Sequence, residues 1–276
     1  MTIEGVGAVR MRVVAVAALT VLIAGCGGSA PGEQPRLPEG AAFDYQLGGA
    51  YPPPRGAAVV VRDSTAEPAA GLFNVCYVNG FQSQPQDRAR WLEQRRDLVL
   101  SDARGRPRAD PDWPGELVLD TSGARSRERI AAIVGETVAA CAAAGYAAVE
   151  FDNLDSYTRS AGALTAGDNL RLARLLAGIA HEHGLLAGQK NAAELSARAR
   201  QEAGFDFAIA EECAAHDECA AYTDVYGQRV LDVEYPDTLE RPFGEVCADP
   251  RTPRSTILRD RLLVAHGEAG HRYRAC

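Results

Sequence analysis

Lysine is all but missing from this chain: Lys190 stands alone against 28 arginines. Basic residues are also outnumbered, 29 to 37, and the formal charge is −8. So acidic a protein is a poor match for a polyanion, which excludes nucleic acid as the expected partner. The motifs of several chemistries are absent too. No Gly-x-Gly-x-x-Gly follows an early strand pattern, and there is neither a Gly-x-Ser-x-Gly elbow nor a Gly-x-x-x-x-Gly-Lys loop. A dinucleotide fold, an α/β-hydrolase nucleophile and a P-loop therefore lack their parts. Metal chemistry is disfavoured in the same way, because no Cys-x-x-Cys or His-x-x-x-His pair occurs. The five histidines, His181, His183, His216, His266 and His271, fall at none of the expected strand ends. His181 and His183, two apart on a helix, do not face one another. The sequence implies no cofactor and no metal.

Long apolar runs are scarce, and the one present lies at the N-terminus. Arg10 and Arg12 precede an apolar stretch from Val13 to Ile23, which ends in Ile23-Ala24-Gly25-Cys26. A short basic region, an apolar core too short to span a bilayer and small residues before a cysteine form the pattern of a lipoprotein signal. Residues 1–25 are expected to be a signal peptide, and Cys26 the lipidated residue that anchors an exported protein to the membrane at the cell surface. Residues 26–40, rich in Gly, Pro and Glu, have little to bury and suit a flexible tether. The remaining 41–276 have the size of one α/β barrel. With Cys26 lipidated, six cysteines remain, an even number that fits an oxidising compartment. Cys213 with Cys219 would close a short loop and Cys247 with Cys276 would pin the C-terminus, although six cysteines allow many other pairings.

A unit of helix, glycine and strand repeats through the second half of the chain. Ile130, Ile133, Val134, Val138 and Cys141 recur at helical spacing, Gly145 follows, and Ala147 to Phe151 runs apolar. Leu172, Leu175, Leu176 and Ile179 repeat the stripe before Gly184 and Leu185-Leu186-Ala187. Gly204 precedes Phe205 to Ala210, and Gly227 precedes Val230 to Val233. Glycine just past a helix is the usual left-handed cap, and strands apolar on both faces suit a buried parallel sheet. The pattern predicts an α/β fold, a single-domain (β/α)8 barrel. Further strands are expected at Phe43 to Leu47, Ala57 to Val61, Phe73 to Tyr77, Leu117 to Leu119 and Thr256 to Leu258.

Each repeated unit ends in a charge six or seven residues past its glycine: Asp152, Lys190, Glu211 and Glu234. Charges at the C-terminal ends of successive barrel strands converge on the rim where such folds build their sites. Glu150 and Asp152, two apart on a strand, share a face, with Asp152 nearer the rim and Glu150 deeper, placed to pair with a base. Asp155 and Tyr157 would lie on the following loop, within reach of a sugar. Glu211 follows an apolar run, and a carboxyl there is expected to have the raised pKa of a general acid. Two carboxyls on one rim are the equipment of glycoside hydrolysis. In a chain that otherwise uses arginine, Lys190 marks a place that needs a compact ammonium, to hold Asp152 ionised or to bond a sugar hydroxyl. Trp113, Tyr77, Tyr157 and Tyr235 are candidate stacking surfaces.

Several stretches together resemble the endo-α-1,4-polygalactosaminidases, glycoside hydrolase family 114. They are Tyr45-Gln46-Leu47, Trp113-Pro114-Gly115-Glu116, Leu119-Asp120, Glu150 through Tyr157, Gly188-Gln189-Lys190-Asn191, Phe205-Asp206-Phe207, Glu211-Glu212-Cys213, Asp217-Glu218-Cys219 and Val233-Glu234-Tyr235. The resemblance implies a (β/α)8 barrel whose catalytic Asp is Asp152 and whose catalytic Glu is Glu211. Gln46, Tyr77, Asp120, Glu150, Asn153, Asp155, Tyr157, Lys190, Asn191, Glu234 and Tyr235 are the expected substrate contacts. The implied partner is a polysaccharide of α-1,4-linked galactosamine, cationic where de-acetylated. Departures at Val61-Arg62-Asp63-Ser64 and at Ala210 leave a second reading, a non-catalytic carbohydrate-binding lipoprotein on a decayed barrel.

Overall fold

The computed structural model describes residues 35–276, together with Met1, Thr2 and Gly5; the expected signal, lipid site at Cys26 and most of the tether lie outside the described residues. Within the unit Gln34–Cys276, eight parallel strands follow one another in chain order. They are β1 (Phe43–Gln46), β2 (Val59–Asp63), β3 (Phe73–Asn79), β4 (Ala148–Asp152), β5 (Leu186–Lys190), β6 (Phe207–Glu211), β7 (Val230–Glu234) and β8 (Ser255–Arg259). A ninth, β9 (Tyr273–Ala275), pairs antiparallel with β8. The main helices are α1 (Arg88–Gln94), α2 (Ala124–Ala144) and α3 (Ala166–Glu182), then the short α4 (Ser196–Arg198), α5 (Cys219–Tyr226) and α6 (Phe243–Ala248). Among the described residues, no helix is long and apolar enough to cross a membrane.

Strand alternation divides the apolar residues into two cores. Val59, Val61, Val75, Phe207, Ile209, Leu231, Val233 and Ile257 fill the barrel interior. Val149, Phe151, Ala187, Ala208 and Ala210 point outward and pack with Ile130, Val134, Val138, Leu172 and Leu176 of α2 and α3. The helices end where glycine allows the backbone to turn left-handed: Gly145 has φ 97° and Gly204 has φ 87°. At Gly188 in β5 the requirement is space, since a Cβ would stand 2.4 Å from Cζ of Phe207. That ring fills the barrel just below the rim position of Lys190, and only glycine admits it.

The repeat is incomplete in the first half. No helix separates β1 from β2 or β2 from β3. Leu117–Leu119, expected as a strand, is not one of the barrel strands. It forms isolated antiparallel bridges to Ala109, Gln82 and Val99 in the excursion between β3 and α2, because its neighbours there are other loop segments and not a barrel edge. The join between β1 and β8 is also special. It carries no strand pairing and is closed by Arg259, fully buried, which ion-pairs with Asp44 at 3.1 Å and donates to the carbonyl oxygens of Tyr45, Val264 and Arg272. Tyr273 adds a bond from its hydroxyl to the Phe43 carbonyl, 2.9 Å.

Three disulfides join Cys76 to Cys141, Cys213 to Cys219 and Cys247 to Cys276. The first ties β3 to α2 and the last fastens the C-terminus to α6. Sγ atoms of Cys213 and Cys219 lie close to the Asp232 carboxylate. With the sulfurs bonded to each other, neither is a thiolate able to bind a metal.

Candidate active site

Lys190, at the end of β5, is 3% exposed and stands among three carboxylates. Its Nζ lies 2.9 Å from Glu211 Oε2, 3.6 Å from Asp152 Oδ1 and 3.8 Å from Glu150 Oε1. The inward face of β4 supplies Glu150 and Asp152, and β6 supplies Glu211. Burial works against the ammonium, but the charges of Asp152, Glu211 and Glu150 raise its pKa well above the ordinary value, so it stays charged.

The three acids are held differently. Asp152 accepts from the Tyr77 hydroxyl at 2.6 Å and from the Asn153 backbone N–H at 2.7 Å. Asn153, which follows it, turns left-handed at φ 67°, a conformation asparagine tolerates. Glu211 accepts from the Tyr235 hydroxyl and from Asn191 Nδ2, while Asn191 Oδ1 takes the Glu211 backbone N–H at 2.8 Å. Burial alone would raise Glu211, but the Lys190 ammonium and these hydrogen bonds bring it below the ordinary value. The expected raised pKa is therefore corrected: in the free protein Glu211 is an ionised carboxylate. Glu150, fully buried, accepts from the Tyr45 hydroxyl at 2.8 Å. Burial pushes it up to about 8 against the pull of Lys190, so it carries the proton at neutral pH.

A cleft of about 410 Å³ opens over this cluster, lined by Asp152, Asn153, Lys190 and Glu211 with Tyr77 and Tyr235. Trp113, Glu116, Leu262 and Arg261 complete its mouth. Glu116 was not among the expected contacts. It lies on a long loop without periodicity, and only the Trp-Pro-Gly-Glu stretch pointed toward it. Another hollow of about 420 Å³ lies on the outer side, against α1 and α2.

The other expected contacts are placed elsewhere. Gln46 is buried at the end of β1, where its amide donates to Asp44 and its oxygen accepts from Arg62. Asp120 caps a turn by accepting from the Ser122 backbone and hydroxyl. Asp155 is paired with Arg159 at 2.9 Å, and the Tyr157 hydroxyl donates to Glu194. None of these four lines the cleft. Glu234 is a clearer correction. On β7 the inward residues are Leu231 and Val233, so Asp232 and Glu234 point outward. There Glu234 accepts the Ala214 backbone N–H at 2.7 Å, and Tyr235 takes the rim position instead.

The chain resembles known structures over most of its length. The crystal structure of Aspergillus fumigatus Ega3 in complex with galactosamine matches with a TM-score of 0.68 at 21% identity, covering 90% of this chain and 99% of that one. The glycoside hydrolase domain of PelA from Pseudomonas aeruginosa matches with a TM-score of 0.54 at 14% identity, covering 83% and 98%. At these identities the likeness establishes the barrel fold. No curated protein matches the chain. The sequence model of glycoside-hydrolase family GH114 matches residues 28–276, nearly the whole protein. With paired carboxylates on the rim of a (β/α)8 barrel and a family match that spans the barrel, the chain belongs to family GH114 and is a glycoside hydrolase.

Proposed function

We propose that the protein is an endo-acting hydrolase of α-1,4-linked galactosamine polysaccharide, exported and anchored to the membrane by a lipid on Cys26. The observation that carries the reading is the bridging of Asp152 and Glu211 by one ammonium, which sets carboxylates from β4 and β6, the two strands flanking β5, in a single cleft. Ega3, of the same fold, binds galactosamine. The net charge of −8 favours a cationic polymer, and three disulfides favour an oxidising compartment.

Asp152 is the nucleophile and Glu211 the acid. Arms of 3.6 and 2.9 Å meeting on one nitrogen cannot set Asp152 Oδ1 and Glu211 Oε2 farther apart than their combined length. A retaining course needs the two carboxyl groups about 5–5.5 Å apart, and an inverting one about 6.5–9.5 Å. In the retaining course, Asp152 attacks the anomeric carbon as Glu211 gives its proton to the departing glycosidic oxygen. Glu211, now a base, then activates the water that releases the sugar. Tyr77 and the Asn153 N–H hold the nucleophile in position, with the Lys190 ammonium 3.6 Å from it. Because Glu211 is held low in the free protein, the acid form is populated as pH falls, and kcat/KM is expected to decline from acid toward neutral pH.

The test is reducing-end release from partly de-acetylated α-1,4-galactosaminan by the full-length protein, with product anomers followed by NMR. Release with an α product, abolished in Asp152→Asn and Glu211→Gln, is the expected result. Binding of the polymer without release would return the decayed-barrel reading, and an initial β product would overturn retention.

A further inference from the structure

The charged residues lining the cleft are Glu116, Asp152, Glu211, Lys190 and Arg261. Asp152 and Glu211 share Lys190. Arg261 is engaged by Glu212 at 2.8 Å and Asp237 at 3.0 Å. Glu116 is left as the lining carboxylate that forms no ion pair with any described residue. Asn79 fixes its Oε2 at 2.8 Å and Asn153 approaches the same atom at 3.4 Å, while its Oε1 accepts no hydrogen bond among the described residues. One oxygen is thus oriented by the protein and the other is available to a ligand.

Its position relative to the nucleophile is defined by Asn153. The backbone N–H of Asn153 holds Asp152 and its side chain reaches Glu116, so the free carboxylate neighbours the atom that attacks the anomeric carbon. In a 2-amino sugar the nitrogen sits on the carbon bonded to that anomeric carbon. We propose that the loop 110–116 is the subsite that selects a free amine over an N-acetyl group, Glu116 taking the sugar ammonium and Trp113 covering a ring face. The inference rests on the proposed galactosaminan hydrolase reading and names its selectivity element.

The loop is built to hold that arrangement. Asp110, buried beneath it, accepts from the backbone N–H groups of Asp112 and Trp113 at 2.9 and 3.1 Å. The other oxygen of Asp110 accepts from Gln82 at 2.8 Å and meets Arg159 at 2.6 Å. Glu116 N–H returns to the Trp113 carbonyl at 2.8 Å, and Arg88 donates to the Pro114 carbonyl at 3.2 Å. A loop fixed before the ligand arrives loses little freedom on binding. It presents Trp113 61% exposed at the cleft mouth, where a large bare aromatic is an apolar surface in want of a partner. Burial pushes Glu116 up to about 7, with the negative charges of Asp152 and Asp110 adding to it and Asn79 opposing. An ammonium supplies the missing positive charge and favours the ionised form, whereas an acetamide brings a neutral, larger group to the same oxygen.

The experiment measures binding and turnover of two α-1,4-galactosamine oligomers, one fully de-acetylated and one fully N-acetylated. It compares the full-length parent with Glu116→Gln, Glu116→Ala and Trp113→Ala, each checked for an unchanged melting profile. Both Glu116 variants are expected to narrow the parent's preference for the amine by about tenfold or more, the size of a lost charge-assisted contact. Trp113→Ala is expected to weaken both oligomers by similar factors. An unchanged preference in both Glu116 variants, with the parent still cleaving the amine oligomer, overturns the subsite and leaves the hydrolase reading standing. Failure of the parent to bind or cleave either oligomer overturns both.

Discussion

Two groups of carboxyls stand at the C-terminal ends of neighbouring strands and are built in opposite ways. Glu150, Asp152 and Glu211 face into the barrel around Lys190. Asp232 and Glu234, on β7, face outward beneath the loop 213–219 and have no cation among the described residues. Burial and the neighbouring Glu234 drive Asp232 well above the ordinary carboxylate value, and burial raises Glu234 too. The outer pair has both groups pushed toward the protonated form, and its oxygens fix the backbone of Cys213 and Ala214. In the inner group the Lys190 ammonium offsets the charge of Glu211 and holds its pKa below the ordinary value. A carboxylate that must stay ionised without water needs a counterion, whereas one that only needs to accept hydrogen bonds does not.

Removing the counterion is the strongest way to break the contrast. Lys190→Met is expected to lower kcat about 10²-fold or more, as Asp152 and Glu211 lose the cation that bridges them. It should also move the alkaline limb of the kcat/KM profile to higher pH, because Glu211 is no longer held down. A limb that stays in place, in a protein still folded by circular dichroism, would show that Lys190 does not control Glu211. Tyr235→Phe removes one donor to Glu211 and should shift that limb in the same direction but less, with activity reduced about tenfold.

Smaller effects fall on stability. Glu150 is raised in the fold to about 8 from an ordinary 4.5. The folded protein therefore holds a proton that the unfolded chain releases, an advantage present at low pH and lost as pH climbs from about 4.5 toward 8. Glu150→Gln keeps a neutral side chain at every pH. Its melting temperature should equal the parent's near pH 4 and exceed it near pH 9, by about 2–4 °C for each kcal/mol of the lost advantage. Least affected of all should be catalysis in Glu234→Gln, within about twofold of the parent, since the side chain lies off the cleft. A large loss of turnover there would erase the distinction between the two faces of β7.

The region between Gly145 and Glu211 was legible because both of its periodicities are regular. Helical stripes end at glycines that turn left-handed, strands follow, and the inward rim positions of β4, β5 and β6 carry Asp152, Lys190 and Glu211. The same count failed on β7. Gly227 has φ 62° but ψ −125°, away from the left-handed helical cap, and counting from it lands one residue short of the inward Tyr235. One residue reverses the face in a strand. The first half of the barrel was read from apolar runs alone, since no helix punctuates β1 to β3, and there Leu117–Leu119 passed for a strand. Gln46, Asp120, Asp155 and Tyr157 could not be placed by type, because what decides their role is a partner such as Arg62, Ser122, Arg159 or Glu194 brought in by the fold.

The seam closed by Arg259 has a consequence for how the barrel breathes. Of the strands β1 to β8, β1 is hydrogen-bonded along one edge only, to β2, and its other edge depends on a single guanidinium and on a C-terminal segment held by the Cys247–Cys276 bond. Local opening is cheapest where the fewest backbone bonds must part, so amides of residues 43–46 should exchange with solvent earlier than those of β4 to β6. Tyr45, in that strand, is the residue whose hydroxyl holds Glu150. Each opening of the seam would thus let water reach the floor of the active site from below, coupling the fastening of the chain's end to the dryness of its buried acid.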